Sequence, residues 1–465
     1  MTLLKKIGIN KAVLIGLLIR GWAIGSGIIS VFVIALFFSK ELQGYFFTFQ
    51  SLIAVQVLTQ LAFSVAIIHF ASHEWAELNI NKKGEIYGNF NAFSRLQSLA
   101  KTSIRTFVVL ALISSVGYGV IGYFCFSNFT SSGINWFWPW TGLCVVNFVD
   151  MLLISIKSFL EGCNQMSQMY ISDLFKQIIR ILAIWILIIL GGKLWASAGA
   201  ILLAIIWTVF YFIKYYSSYF KSLFVPVNGP RLNWKKEIWP IQWKIGFCWL
   251  SGLFYPLIFS PIIFVFRGAV EAGRIGMTVF LVSALSLSSF MWISTRAPKF
   301  GELAAKKKYK ELNKVFFISI IGALLIALFG SIVIFSFIFI LYLYNLPFSL
   351  RFIPPMPTLI LLAATVLMQI SYAQSYYLRA HKSEPFISLY LVSTIILFTM
   401  IFLTVDRWGV LGVTISYFAV VFLWIVPVGT IIWYRCRKKW HSKEYKKTDP
   451  LIGLDNEPMI ISQIE

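Results

Sequence analysis

NFVDMLLISIKSFLEGCNQMSQMYISDLFKQIIR, from Asn147 to Arg180, is the end of one apolar run, a short polar corner and the start of the next. It carries Asp150, Lys157, Lys176 and Arg180 at positions where lipid or protein interior is expected. Asn147, Asp150, Lys157 and Glu161 follow one another at spacings of three, seven and four, which puts them on one face of a helix. Asp173, Lys176 and Arg180 share a face of the helix that follows. Ionisable groups are expensive inside a bilayer and therefore face a bundle interior or a wet cavity. Two readings stand side by side: an internal ion pair that locks two helices together, or the polar wall of a transport cavity.

The composition around this stretch settles the class. The 465 residues are 59% hydrophobic and 12% charged, with a mean hydropathy of +0.80, which predicts an all-α polytopic membrane protein. The net charge of +22 is read as membrane orientation, so the partner it implies is a bilayer and no nucleic acid. Cys125, Cys144, Cys163, Cys248 and Cys436 form no CxxC pair and read as small core residues, with neither a disulfide frame nor a metal site expected. The apolar stretch near the N-terminus runs past Arg20 to Phe38 without a small-x-small cleavage site, and reads as an uncleaved first span. There is no Walker A loop, no GxSxG and no cofactor motif, so the chain is expected to be no enzyme.

Twelve spans can be drawn, each long enough to cross ~30 Å of hydrocarbon at ~1.5 Å per residue. They cover residues 12–38, 45–70, 104–126, 136–160, 174–190 and 194–216, then 239–266, 273–293, 315–342, 357–378, 386–405 and 410–433. With the N-terminus placed in the cytoplasm, only six of the 40 Lys and Arg fall on the opposite face: Lys40, Lys193, Arg267, Arg274, Arg351 and Arg407. Arg20 and Lys157 are set apart as lying within spans, and all the others belong to the cytoplasmic loops counted with their membrane edges, which predicts both termini inside. RAPKFGELAAKKKYKELNK (Arg296–Lys314) reads either as an amphipathic surface helix or as a solvated connector that sets topology. The basic segment after Arg435 reads as a poorly ordered cytoplasmic tail.

The halves repeat. SFLEGCNQMSQMYISDL, from Ser158, is echoed by YYLRAHKSEPFISLYL, from Tyr376, and WASAG, from Trp195, by WGVLG, from Trp408. Gly44, opening the second span, corresponds to Gly273, opening the eighth. Six spans followed by six in the same orientation predict two pseudo-symmetric six-helix bundles, residues 1–220 and 221–440, with a tail over 441–465.

Further candidates follow from this scheme. Arg20 and Lys244 enter on symmetry-related first and seventh helices, where they either snorkel or converge on the mouth between the halves. Gln56, Gln60 and Ser64 form a stripe on the second helix, and Thr365, Gln369, Tyr372 and Tyr376 form one on the tenth. Such groups either hydrogen-bond sugar hydroxyls in a wet groove or act as interhelical glue at ~0.6–2 kcal/mol per contact. Pro256 is expected to kink the seventh helix near its middle and to serve gating. His69 and His73 beside Glu74 lack the HExxH order and read as interfacial residues.

Twelve spans, the SFLEGCNQMSQMYISDL corner and the segment FVFRGAVEAGRIGMTVFLVSALSLSSFMWISTRAPKFGELAAKKKYKELNKVF together carry a resemblance. In the second segment Gly273 opens a span that ends in a basic loop with an Arg-x-Pro turn at Arg296 and Pro298. The chain resembles the O-antigen and polysaccharide flippases (Wzx type) of the multidrug/oligosaccharidyl-lipid/polysaccharide exporter superfamily. The resemblance implies a MATE-like, V-shaped pair of bundles in a bacterial inner membrane. It implies movement of an undecaprenyl-pyrophosphate-linked oligosaccharide from the cytoplasmic to the periplasmic leaflet, coupled to H+ or Na+, with a polysaccharide polymerase as partner. Arg20, Lys244 and Lys157 would then meet the pyrophosphate, and Asp150, its ionisation tuned by Lys157, would serve ion coupling. A cation-coupled multidrug antiporter of the same superfamily is the alternative; a membrane-embedded glycan polymerase or ligase is a second, disfavoured by the short outer loops.

Overall fold

The structure is a computed structural model that describes residues 11–81, 84–127, 133–223, 229–232, 234, 237, 255–381 and 383–445. The side chains of residues 11–14, 17, 20, 24, 57–62 and 442–445 are not among those described. The first half contains α1 (Lys11–Phe37), α2 (Lys40–Ala54), α3 (Gln56–Trp75), α4 (Phe90–Ser127), α5 (Phe137–Leu160), α6 (Met166–Ile189) and α7 (Trp195–Leu223). The second contains α8 (Phe259–Arg267), α9 (Ala269–Ser294), α10 (Ala297–Ala305), α11 (Tyr309–Leu343), α12 (Pro355–Ala380), α13 (Phe386–Val420) and α14 (Val426–Tyr445).

Seven helical stretches are long and apolar enough to cross a membrane, and two of them, Phe137–Ile189 and Phe386–His441, run to 53 and 56 residues. A straight helix of that length would measure ~80 Å, far more than a ~30 Å hydrocarbon core, so each has to fold back. The first turns at a short π-helical corner, Glu161–Gln165, where Asn164 takes φ +61°. The second turns at Gly409, φ +53°, a left-handed backbone that glycine adopts without steric penalty. Contacts across the turn prove the reversal: the Thr404 and Ser416 hydroxyls lie 3.1 Å apart, although twelve residues of straight helix would separate them by ~18 Å. Counting each folded stretch as two, the described residues hold nine such crossings, with two shorter apolar helices, Gly21–Phe37 and Tyr255–Arg267, beside them; most of the expected seventh span lies outside the described residues.

Several boundaries differ from the sequence expectation. The second span is broken at Val55 into α2 and α3. The third helix begins at Phe90, well before the apolar run, because its first turns pack against the basic-end loops. The segment 296–314 is not one surface helix: α10 ends at Ala305, Lys307 turns the chain at φ +56°, and α11 begins at Tyr309. Between the second and third spans lies an unexpected hairpin, β1 (Leu78–Ile80) and β2 (Ile86–Gly88), in antiparallel register with Ile80 opposite Ile86. Its Ile86 N–H donates to Ser222 Oγ of α7 at 3.3 Å.

The hydrogen bonds and ring contacts between the halves gather at the end opposite the basic loops, here called the far end. α2 lies against α9 there, with Gly44 meeting its own repeat counterpart. A Cβ on Gly44 would fall 1.8 Å from the Ala269 carbonyl oxygen, and one on Gly273 would fall 2.9 Å from Gly44 N. Gln43, 1% exposed, donates to the carbonyls of Gly273 (2.9 Å) and Arg351 (3.0 Å). Arg351 in return donates to Gln43 Oε1 at 3.2 Å and to the Phe38 carbonyl at 2.6 Å. The Thr48 and Ser260 hydroxyls pair at 3.2 Å, and Tyr45 packs edge-on against Phe264 at 4.8 Å.

At the basic end the last helix continues to Tyr445, so the RCRKKWHSKEY segment prolongs the span and does not begin a loose tail. Rings explain the docking. His381 stacks on Trp440 at 4.1 Å and 7°, His441 stacks on Tyr309 at 4.4 Å, and the Tyr377 hydroxyl lies 3.1 Å from His441 Nε2. Burial holds the His381 imidazole below its ordinary value, so the neutral ring is the one that stacks.

Two outcomes are expected. Gly44→Ala should prise the far end apart: with Thr48→Cys as reporter, labelling by a membrane-impermeant maleimide should rise on the order of tenfold, the ratio a 1.4 kcal/mol shift produces. Unchanged labelling would show that the glycine contact does not hold the end closed. Because the His381 value is depressed, the docking of α14 is full above pH ~6.5 and is lost as pH falls through the lower folded value. Tryptic cleavage at Arg437–Lys439 should therefore accelerate between pH 7.5 and about 5.5, and His381→Phe should flatten that dependence.

Candidate functional site

The corner between α5 and α6 brings two charged faces together. Asp150 lies thirteen residues into α5, ~20 Å along it, and Lys176 Nζ of α6 meets its Oδ1 at 2.5 Å. One to two turns closer to the corner, Lys157 pairs with Asp173 across the two helices and with Glu161, 3.5 Å away, on its own side. The tight reversal at Cys163–Asn164 makes this possible, since it sets residues sixteen apart in sequence side by side.

The pairing corrects one expectation. Asp150 is held by Lys176, not by Lys157, which is engaged by two carboxylates. Spacing along one helix cannot decide between partners on the next; only the rotation of α6 about its axis does. The seam is also not sealed. Side-chain exposure is 17% for Asp150, 18% for Lys176, 21% for Asp173 and 30% for Lys157. Arg180, a turn beyond Lys176, is exposed and takes part in none of the ion pairs found among the described residues. The two readings of the stretch therefore merge: the charges are paired across helices, and they line a partly open polar seam.

Above the pairs, the Asn147 amide donates to Gln56 Oε1, linking α5 to α3. Gln56 is buried, and the side chain of Gln60 lies outside the described residues. The second half answers with neutral groups. Gln369 is fully buried and donates to Ser286 Oγ and to the Thr365 carbonyl, each at 3.3 Å. Tyr372 and Tyr376 both meet Phe290 edge-on, at 5.5 and 5.3 Å. α12, the repeat partner of α5, carries no charged residue from Pro355 to Leu378. The seam's charge belongs to one half alone.

Other expected residues fall elsewhere. Arg20 belongs to the α1 backbone between Gly16, which faces Tyr170, and Trp22, whose ring lies 6.3 Å from Trp185, but its side chain is outside the described residues. Lys244 lies outside them altogether. Pro256 sits in a 3-10 turn, Tyr255–Ile258, that leads into α8, and the part of the seventh span before it lies outside the described residues. Glu74 is not available to the neighbouring histidines as a ligand. It is buried and accepts from Arg95 Nε at 2.8 Å, while Arg95 Nη2 donates to Glu237 of the linker at 2.8 Å. Partners 21 and 142 residues apart leave no local signal, and this linker anchor was invisible to spacing.

Asp150 and Lys176 form one ion pair in a partly open seam, so removing either charge would leave the other unmatched in a poorly solvated place.

No family model matches the chain, and no curated protein matches it. Its fold is nonetheless shared with solved structures. An inward-facing multidrug resistance MATE family transporter of the MOP superfamily superposes with a TM-score of 0.61 at 15% identity, over 93% of this chain and 96% of that one. The lipid II flippase MurJ in an inward closed conformation gives 0.58 at 13% identity, over 96% and 94%. The eukaryotic MATE transporter AtDTX14 gives 0.58 at 13%, over 93% and 100%. At such identities the likeness is one of fold.

Asp150→Asn should destabilise the detergent-solubilised protein by about 3 kcal/mol, because it strands the Lys176 cation. Adding Lys176→Gln should recover at least half of that loss in a double-mutant cycle followed by thermal unfolding. Additive losses would show that the pair does not interact energetically.

Proposed function

We propose that the chain is a flippase that carries a lipid-linked oligosaccharide, joined to its polyprenyl anchor through pyrophosphate, across a bacterial inner membrane by alternating access. The basic end is placed in the cytoplasm, following the distribution of Lys and Arg, and the far end faces the periplasm. Both termini are then cytoplasmic. The division into halves at residues 1–220 and 221–440 belongs to the same reading, with the α2–α9 contact as the point at which one half leaves the other.

One observation supports this reading above the others. Charge within the spans is gathered in the first half with its acids already matched by lysines, while neither residues 11–37 nor residues 239–267 contain any Asp or Glu. A cationic drug needs unmatched carboxylate where it binds, and those two segments offer none. An anionic headgroup instead needs cations free of acidic neighbours, and Arg20 and Lys244 stand on acid-free, repeat-related helices. Lys157 joins them only when one of its carboxylates is neutralised. Tyr372 would offer a ring face and a hydroxyl to the sugar chain, and Gln60 an amide, whereas Gln56 and Gln369, buried and hydrogen-bonded here, would meet it only in another conformation of the cycle. Asp150 would take the coupling ion, H+ or Na+, and Pro256 would mark the hinge of the seventh span.

The test is reconstitution in liposomes with a fluorescent oligoprenyl-pyrophosphate oligosaccharide in the inner leaflet, its arrival outside read by lectin capture. Arg20→Ala should slow transfer at least tenfold with insertion intact, and Arg20→Lys should retain part of it. Asp150→Asn should abolish acceleration by an ion gradient. Transport of cationic dyes with no oligosaccharide movement would replace this reading with that of a multidrug antiporter.

A further inference from the structure

The basic end of the first half holds a second polar cavity that the seam does not use. It has a volume of about 390 Å³ and lies between α7, the start of α6 and the β1–β2 hairpin. Tyr211, Tyr215, Tyr216 and Tyr219 of α7 form one wall, and Gln165 and Gln168 of the corner form the other. The tyrosines recur at spacings of four, one and three, so the helix turns all of them to nearly one side.

The wall is hydrogen-bonded in a way that leaves groups over. The Tyr211 hydroxyl donates to Gln168 Oε1 at 3.2 Å, and the Tyr216 hydroxyl donates to Gln165 Oε1 at 3.2 Å. Each glutamine is thereby held by its carbonyl, which keeps its NH₂ group as a donor toward the cavity. Tyr219, 2% exposed, lines the cavity as well, and its hydroxyl has no nitrogen or oxygen partner among the described residues; only the Cys163 thiol lies beside it. The hydroxyl is itself sealed against that thiol, so Tyr219 offers the cavity its ring. Ring faces, hydroxyls and amides without a charged group among them suit a polyol, not a bare phosphate or a metal ion.

Depth identifies the source of that polyol. From Trp195 at the far end of α7, Tyr211 lies ~24 Å along the helix and Tyr219 ~36 Å, which brackets the edge of a ~30 Å hydrocarbon core. Tyrosines at this level belong to the headgroup layer. At the rim, Lys214 Nζ lies 5.4 Å from the Tyr215 ring centroid, within reach of the same layer. Outward-facing Phe210 and Ile213 are exposed beside it, as acyl-chain contacts require.

We propose that this cavity binds the headgroup of a bilayer lipid in which a polyol, glycerol or a sugar ring, is attached through a phosphodiester. The polyol enters among the tyrosines and glutamines, the phosphodiester stays at the rim with Lys214, and the acyl chains lie along α7. The site is separate from the proposed cargo path.

Native mass spectrometry of the full chain released from nanodiscs tests this. Phosphatidylglycerol should be retained about tenfold more than phosphatidic acid, which has an anionic phosphate without the polyol. Tyr216→Phe and Gln168→Met, which keep shape and remove hydrogen bonds, should bring the two lipids to parity, while Lys214→Ala should weaken both equally. Equal retention of the two lipids by the unaltered protein, or retention indifferent to Tyr216→Phe and Gln168→Met together, would overturn the proposal. Displacement of phosphatidylglycerol by millimolar free glycerophosphoglycerol would overturn the lipid as the source and leave a soluble polyol in its place. No displacement supports the lipid.

Discussion

Two halves that repeat about an axis must meet somewhere on that axis, and at the meeting point a residue faces its own counterpart. In this chain the residue is glycine on both sides. The Cβ that Gly44 lacks would sit inside the Ala269 carbonyl, so α2 and α9 approach at backbone distance or not at all. Around that contact, Gln43 and Arg351 satisfy carbonyls left open at the helix ends, which a low-dielectric setting makes expensive to leave unpaired. The far end is thus closed by shape and by polar satisfaction, and both terms vanish together when the helices part. Such a contact has two discrete states and few intermediate ones, which is the property a gate needs.

The charged seam obeys a similar economy. Two lysines and three acids inside the first half would be prohibitive one at a time, yet paired with one another at 11–30% residual exposure they are tolerable. The same pairing makes them sensitive. Neutralising one carboxylate releases a cation into a place that has few other ways to solvate it.

The halves are alike in backbone and unlike in chemistry. The first has the paired charges, the tyrosine-walled cavity and the Arg95 anchor that ties down the linker. The second has an α12 without charge from Pro355 to Leu378 and a histidine–tryptophan stack that fastens α14.

Much of this was legible from the chain alone. Hydropathy marked the long apolar helices, because a lipid-facing helix has no alternative to about twenty apolar residues. The repeat showed Gly44 and Gly273 to be equivalent. Helical spacing put Asp150 and Lys157 on one face and Asp173 and Lys176 on another. Spacing within a helix is a local property, however, and the identity of a partner is not. That Asp150 belongs to Lys176, that Gly44 touches the segment carrying its own repeat, that Arg95 reaches Glu237, and that four tyrosines close on two glutamines were all decided by how helices rotate and cross. Those rotations are set by packing summed over the whole bundle, a quantity that no window of sequence contains.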